Sequence, residues 1–472
     1  MAAKTAVPPF KERVQSALEN RFLRTALLRT TSQFVRNRSQ AFTEVTDLQT
    51  LRDQARAARE RAISHLPELL EQLERALTAK GVVVHWAEDA EKARSIVRRL
   101  VEAHDVRRIV KSKSMVTEEI GLNHLLEGLG LTVIETDLGE YIVQLAGETP
   151  SHIVAPAIHK RKEDVAELFE EHLGVPYTLE PEILTAAARR RLRREFVQAD
   201  MGISGVNFAV AETGTLALVT NEGNGRYVTS LPRLHVAIMG IEKVVATLED
   251  FALLVQMLTR SATGQSLSSY VTLVNGPARE DDPDGPEELH VILLDNGRSH
   301  ILAQGYGEAL CCIRCGACLN ICPVYREIGG HAYGWVYSGP IGAVITPLLW
   351  DRERAKELPA ASSLCGACRD VCPVQIDLPR MLLRLRYETA SRRSTPLLER
   401  LGIRAWRWIM ESPGRYRWAA SLGHWGTLAL ARHGMVRRLP PPLHGWTRSR
   451  DFPAIPRQSF RARWHARRKA HG

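Results

Sequence analysis

The hydrophobic positions of the chain change period several times, and each change marks a different kind of element. Residues 1–65 carry apolar residues at helical spacing among many charges, as in "DLQTLRDQARAARERAISHL", which predicts a charged helical segment. From 66 to 298, short β-rich apolar runs alternate with amphipathic stretches. "GVVVHWA" (81–87) predicts a strand, "DAEKARSIVRRLVEAH" (89–104) a helix with one apolar face, and "RRIVKSK" and "LTVIETD" two more strands. "TEEIGLNHLLEGLG" predicts a helix with Thr117 as N-cap, Glu118 and Glu119 in its positive first turn, and a glycine stop. The runs "HIVAPAI", "VNFAVAETGTLALVT", "LHVAIMGIEKVV", "SYVTLVNG" and "LHVILLDNG" continue the pattern, and "VTNEGNGRYV" reads as a turn between two β segments. Strands joined through helices give an α/β fold with a mostly parallel sheet and helices on both faces.

Residues 299–385 break this rhythm. All eight cysteines lie between positions 311 and 372, in "LCCIRCGACLNICPVY" and a shorter echo, "SLCGACRDVCPV". A disulfide-stapled secreted protein scatters its cysteines through the fold; thiols clustered at gaps of two and three residues point to metal. Cys312, Cys315, Cys318 and Cys322 obey C-x2-C-x2-C-x3-C and are followed by Pro323, the run that bacterial ferredoxins use for iron–sulfur clusters. Zinc takes four ligands in a tetrahedron, commonly as two separated pairs, and this spacing suits it poorly.

The echo offers Cys365, Cys368 and Cys372 before Pro373, with Ser362 where a complete copy would have cysteine. In two-cluster proteins the fourth cysteine of a run reaches the other cluster. On that frame one cluster takes Cys312, Cys315, Cys318 and Cys372, and the other takes Cys322, Cys365 and Cys368, with one corner unassigned. Cys311 could reach that corner, Ser362 or another oxygen or nitrogen could fill it, or it could stay open; otherwise Cys311 is a spare buried thiol. About forty residues separate the runs, and they predict a helical insert rather than a minimal two-hairpin ferredoxin. His331 in "GGHAYGW" reads as a satisfied loop histidine.

Composition narrows the class. The chain has 472 residues, 44% hydrophobic and 25% charged, which is ordinary for a globular protein of two or three domains. The longest apolar candidate, "GPIGAVITPLLW", falls far short of the roughly 20 residues that span a bilayer. The N-terminus has no secretory h-region, so a cytoplasmic location is expected. A basic, tryptophan-rich segment, 386–472, ends the chain: from 381 onward there are twenty Lys and Arg against four acidic residues, and six of the nine tryptophans. Such a segment suits contact with an anionic membrane surface or an acidic partner; with no nucleic-acid motif in the sequence, nucleic acid is not expected. No G-x-G-x-x-G follows a strand and no G-x-x-x-x-G-K-[ST] occurs, so a nucleotide site has no motif support. "KSKSM" (111–115), between a strand and a helix, reads as a polar loop or an anion pocket, and Glu212 in "AETGTL" reads as a structural or surface residue.

Together, "ADMGISGVNFAVAETGTLALVTNEGNGR", "CIRCGACLNICPVYR" and "SLCGACRDVCPV" resemble the lactate utilization protein B family, iron–sulfur proteins of a bacterial three-component L-lactate oxidation system. The resemblance implies an α/β lactate-utilization domain (66–298) related in fold to sugar-phosphate isomerases and CoA transferases. It also implies a helical-ferredoxin-like module (299–385) with two [4Fe-4S] clusters. The family's ligands fall on the same seven cysteines, so the missing eighth belongs to the family pattern. The chain would then be an electron-transfer subunit working with the other lactate-utilization components, binding no flavin or nicotinamide itself. Two other readings are that the chain oxidises a 2-hydroxy acid at an open cluster corner, or that it is an iron–sulfur nucleic-acid-binding protein.

Overall fold

The structure, a computed structural model, describes residues 7–391, 397–441, 443–447 and 450–471. Residues 1–388 form one compact unit and 389–472 a second.

The first unit begins with four helices, α1 (Phe10–Glu19), α2 (Arg21–Thr43), α3 (Leu48–Ser64) and α4 (Leu66–Thr78). Ten strands follow: β1 (Val83–Ala87), β2 (Arg108–Lys111), β3 (Thr132–Glu135), β4 (Met201–Gly205), β5 (Phe208–Val210), β6 (Thr215–Thr220), β7 (Leu234–Gly240), β8 (Val244–Val245), β9 (Tyr270–Val274) and β10 (Glu288–Leu294). Six of them make one sheet in the order β1-β10-β7-β4-β2-β3, parallel throughout. Parallel strands sit between covering layers and are apolar on both faces. Accordingly β7 is buried along its whole length: Val236 and Ile238 pack with Ile96, Val97 and Leu100 of the helix Ala90–Ala103, while Ala237 and Met239 pack with Leu70, Leu73 and Leu77 of α4. Gly202 in β4 allows close approach to the helix Asn224–Ser230, since a Cβ there would lie 2.0 Å from the Val228 carbonyl.

The other four strands form a smaller sheet, β8-β5-β6-β9. Its β5–β6 hairpin carries Glu212, whose carboxylate accepts the Leu248 N–H at 3.1 Å at the start of the helix Leu248–Ala262. That glutamate is structural, as its setting in the hairpin predicts.

Three local expectations are corrected. "HIVAPAI" forms no strand: Pro156 cannot donate to a ladder, and the His152 ring accepts the N–H groups of Val154 and Ala155 at 3.0 and 3.1 Å, holding a local turn. "VTNEGNGRYV" contains the helix Asn224–Ser230 instead of a turn between strands. "TEEIGLNHLLEGLG" falls in two short helices, Met115–Glu119 and Leu122–Gly128, broken at Gly121 with φ +62°. Ser114 caps the first of these, and Thr117 lies inside it, bonded to buried Lys111 at 2.8 Å.

The second unit has helices Leu397–Met410, Pro413–Leu430 and Phe460–His471 and a two-stranded ribbon, Met435–Val436 with Phe452–Pro453. Its first helix buries no residue and exposes Trp406 and Trp408 at 60% and 53%. No helix among the described residues is long and apolar enough to cross a membrane.

Acid should strain this core at one identifiable point. His235 in β7 is fully buried, bonded to Ser204 at 2.8 Å, and burial lowers its pKa from 6.5 to about 3. Between these values the unfolded chain binds a proton that the folded one refuses, so this contribution is complete above pH 6.5 and is lost as pH falls toward 3. From pH 7 to pH 5 the loss is about 2 kcal/mol. His235→Gln should remove that slope; equal acid destabilisation of variant and parent in urea unfolding at the two pH values would refute the assignment.

Candidate metal centre

The two cysteine loops repeat one backbone. Arg314 and Leu364 have φ of +60° and +54°, Gly316 and Gly366 +77° and +87°, and each glycine opens a five-residue helix, Ala317–Ile321 or Ala367–Val371. At Gly316 the restriction is double, because a Cβ would also sit 2.7 Å from Ile153 Cγ2. Cys322 and Cys372 end the helices in extended conformation ahead of Pro323 and Pro373, and the two short helices pack on each other. The Arg314 N–H donates to Cys312 Sγ at 3.4 Å, and the Leu364 N–H donates to Ser362 Oγ at 3.1 Å. Ser362 thus occupies in the second loop the place and local bond that Cys312 has in the first.

Mutual electrostatics sort the thiols into two groups. Burial pushes Cys315 up to about 12, with Cys372 and Cys312 adding to it, and also raises Cys318, with help from Cys312, Cys315 and Cys372. Burial lifts Cys372 to about 11, opposed by the Ile376 N–H and reinforced by Cys312. The other group is Cys322, Cys365 and Cys368: burial raises Cys322, with Cys365 adding to it, and lifts Cys368 to about 12 with Cys322 and Cys365 adding. Cys365 is exposed, and the N–H of Ala367 followed by the Ser363 hydroxyl hold its thiol below the usual value. Cys311 stands apart. It is buried, burial lifts it to about 11, and the charges acting on it are Arg59, Glu60, Glu308 and Arg56.

The spacing of these sulfurs tests which metal they fit. One tetrahedral zinc brings its thiolates to about 3.8 Å of each other. Among the described residues, the group of three or more metal-binding side chains with donor atoms within 4.8 Å is His104, Glu288 and His290, at the opposite end of β10, and no three thiols come that close. As placed, no three thiols could share one tetrahedral ion, whereas a cubane takes thiolates that stand farther apart, and its binding would remove the protons that burial holds on the sulfurs.

The N-terminal helices wall this region. Arg38 of α2 donates to the Val371 carbonyl at 2.9 Å. On α3, Arg52 donates to the carbonyls of Asp370 and Cys372, both at 2.9 Å, and Arg56 to that of Gln375 at 2.8 Å. Arg59, 2% exposed, reaches the carbonyls of Leu310, Cys311 and Val244 at 3.0, 3.3 and 2.8 Å. Sequence reading takes these residues only as part of a charged helical segment. The available signal was Arg52, Arg56 and Arg59 at i, i+4, i+7, with Ala55, Ala58 and Ala62 beside them, a helix face that buries small residues and arginines together.

Behind the first loop lies a buried ion network. Arg298 pairs with Glu119 at 2.9 Å and with Glu242 at 2.5 Å; Tyr337 donates to Glu119, and Arg314 Nη2 lies 3.7 Å from Glu242. Burial would raise Glu242, but Arg298, Lys243 and Arg314 hold it down at about 2. "KSKSM" divides: Lys111 is buried against Glu135 at 2.6 Å, while Lys113 lines an open cavity. His331 is a satisfied loop residue, its Nε2 2.7 Å from the Thr149 carbonyl.

Comparison with known proteins agrees with this geometry. Residues 70–294 match the LUD domain, 308–376 the 4Fe-4S dicluster domain, and 388–469 the C-terminal domain of lactate utilisation protein B. The lactate utilization protein B of Bacillus licheniformis is 44% identical, covering 100% of this chain and 99% of its own. Those of Bacillus subtilis and Geobacillus kaustophilus are 44% and 45% identical over 99% of this chain. With the six-stranded parallel domain followed by the cysteine-rich helical region and the C-terminal unit, the chain belongs to the lactate utilization protein B family.

Proposed function

We propose that this protein is the iron–sulfur electron-transfer component of a multi-subunit system that oxidises L-lactate to pyruvate, and that it works in the cytoplasm with the other lactate-utilization components. The observation that carries this reading is the pair of matched loops gathering seven thiols in two groups. Cys312, Cys315, Cys318 and Cys372 would hold one [4Fe-4S] cluster, and Cys322, Cys365 and Cys368 three corners of a second. Oxidising lactate releases two electrons and two protons, and bound iron–sulfur clusters, which accept one electron at a time, can carry the pair away singly.

The chain's own residues set up that role. Main-chain N–H groups of Arg314, Tyr325 and Ile376 point at Cys312, Cys322 and Cys372 at 3.4, 3.5 and 3.3 Å, and such bonds stabilise charge on sulfur. Arginines of α2 and α3 fix the loop carbonyls and add positive charge nearby. No thiol of the first group is exposed, while the other group comes to the surface at Cys365, where a partner's redox centre can approach. The division into an N-terminal helical segment, an α/β domain of isomerase and CoA-transferase likeness, a cluster module and a basic tail belongs to the same proposal. So does an oxidoreductase complex in which this subunit is the relay. The exposed tryptophans and arginines of the tail suit an anionic surface.

Anaerobic reconstitution of the full chain should give about eight irons and eight sulfides per chain and EPR signals of reduced clusters. Cys312→Ser and Cys368→Ser should each lose about half the iron, whereas Cys311→Ser should keep it all. A colourless protein carrying zinc would end the redox reading, and iron loss in Cys311→Ser would make that thiol a ligand.

For the tail, the protein should co-sediment with vesicles rich in anionic lipid at low salt and less so at about 0.15 M, where charges are screened beyond about 8 Å. Replacing Trp406 and Trp408 by Ala should weaken the association several-fold. Equal sedimentation of variant and parent would move the contact elsewhere.

A further inference from the structure

The C-terminal ends of β2 and β4, at the edge where open parallel sheets bind their ligands, and that of β6 in the smaller sheet open into a cavity of about 300 Å3. Its wall includes Lys113, Asp137, Glu222, Lys243, Arg314 and Tyr337. Lys243 follows β7 within three residues, is 9% exposed, and makes no hydrogen bond or ion pair among the described residues. Arg314 stacks over the Tyr337 ring at 4.5 Å and keeps Nη1 buried without a partner. Two desolvated cations therefore face one small space.

The remaining charges answer them only in part: Glu242 lies 3.7 Å from Arg314 Nη2 but is shared with Arg298, and it makes no ion pair with Lys243. Arg59 is spent on main-chain carbonyls, Arg298 takes both Glu119 and Glu242, and Lys113 donates to the Val154 carbonyl at 3.3 Å. Of the acids on the wall, Asp137 accepts the N–H groups of Gly139 and Glu140 at 3.0 and 3.2 Å. Burial, and then Asp137, push Glu222 toward its neutral form. A small anion would satisfy Lys243 and Arg314 together, and a carboxylate presents two oxygens to a guanidinium and an ammonium with charge-assisted bonds.

We propose that this cavity binds a small 2-hydroxy- or 2-oxo-carboxylate, with its carboxylate held between Lys243 and Arg314. The anion follows from the Lys243 ammonium, which has no hydrogen bond or ion pair among the described residues, and from the unpartnered Nη1 of Arg314; the choice of a carboxylate among small anions rests on the lactate-utilization reading. Arg314 lies between Cys312 and Cys315 in one loop, so the occupant sits beside the first thiol group and the chain is more than a relay.

Calorimetric titration of the full reconstituted chain with L-lactate, with pyruvate and with inorganic phosphate tests this. Saturable binding of L-lactate or pyruvate is expected, weakened about tenfold or more in Lys243→Gln and recovered in Lys243→Arg. Iron content and thermal unfolding measured alongside report whether each variant is folded. No binding of either carboxylate by the parent chain overturns the proposal whatever the variants do, and so does binding that a folded Lys243→Gln retains in full. Phosphate binding alone overturns the carboxylate assignment. A chain that holds its iron and binds neither acid separates failure of this site from failure of the cluster reading, which the iron count reports independently.

Discussion

The buried network of Arg298, Glu119, Glu242 and Arg314 is the constraint on which the rest of the first unit depends. Arg298 and Glu119 are wholly shielded from water and Glu242 nearly so, and such charges are tolerable only while they hold one another. Glu119 comes from the helix after β2, Glu242 from the turn after β7, and Arg298 from the helix after β10, so three sheet connections meet at one point. Arg314 and Tyr337 enter from the cysteine region. Removing one partner would leave an uncompensated buried charge, a loss of about 3–5 kcal/mol in comparable cases. The close fit extends to the backbone: a Cβ at Gly240 would fall 2.1 Å from Glu242 Oε2 and 2.4 Å from Arg298 Nε. Through these contacts the parallel sheet fixes Arg314, and Arg314 fixes the turn that carries Cys312 and Cys315.

How much of this was legible in the sequence follows from where each signal is stored. The cysteine loops were readable because their chemistry is local: spacing, glycine and proline together dictate the turn, the short helix and the stop. The strands of the large sheet were readable because β7 and β10 are apolar on both faces and form unbroken runs. Polar residues whose partners lie far along the chain were not. Arg59 meets the carbonyls of Leu310 and Val244, and no window of sequence around α3 contains that information. "HIVAPAI" misled for the opposite reason: its apolar run is real, yet one proline and one histidine ring bonded to its own backbone outweigh β propensity.

Positive charge is distributed unevenly, and the unevenness has a direction. Arg38, Arg52, Arg56 and Arg59 present their guanidinium groups to main-chain carbonyls of the cysteine region, where they orient the loops and set a positive field; of the four, Arg56 also pairs with Glu60 and Glu308. A site meant to hold thiolates and accept further negative charge benefits from cations that are held by neutral dipoles. Lys243 and the free nitrogen of Arg314 extend this field into the cavity. One electropositive layer thus serves both the thiol groups and whatever anion enters beside them.

The repeat in the cysteine region explains why its two halves can differ in function while sharing a backbone. Ser362 keeps the geometry of Cys312, including the bond from the N–H two residues on, so losing that thiol costs the second loop none of its shape. What changes is chemistry alone: a hydroxyl gives up its proton far less readily than a thiol and is the weaker ligand for iron. The first loop is enclosed by α2 and α3 and the buried ion network, and its shape is over-determined. The second ends in an exposed Cys365 with Arg369 and Asp370 around it, open to solvent and to a neighbour. A duplicated scaffold in which one copy faces the interior cavity and the other the surface gives the cysteine region two differently exposed halves, and the loop with Ser362 in place of a cysteine is the outward one.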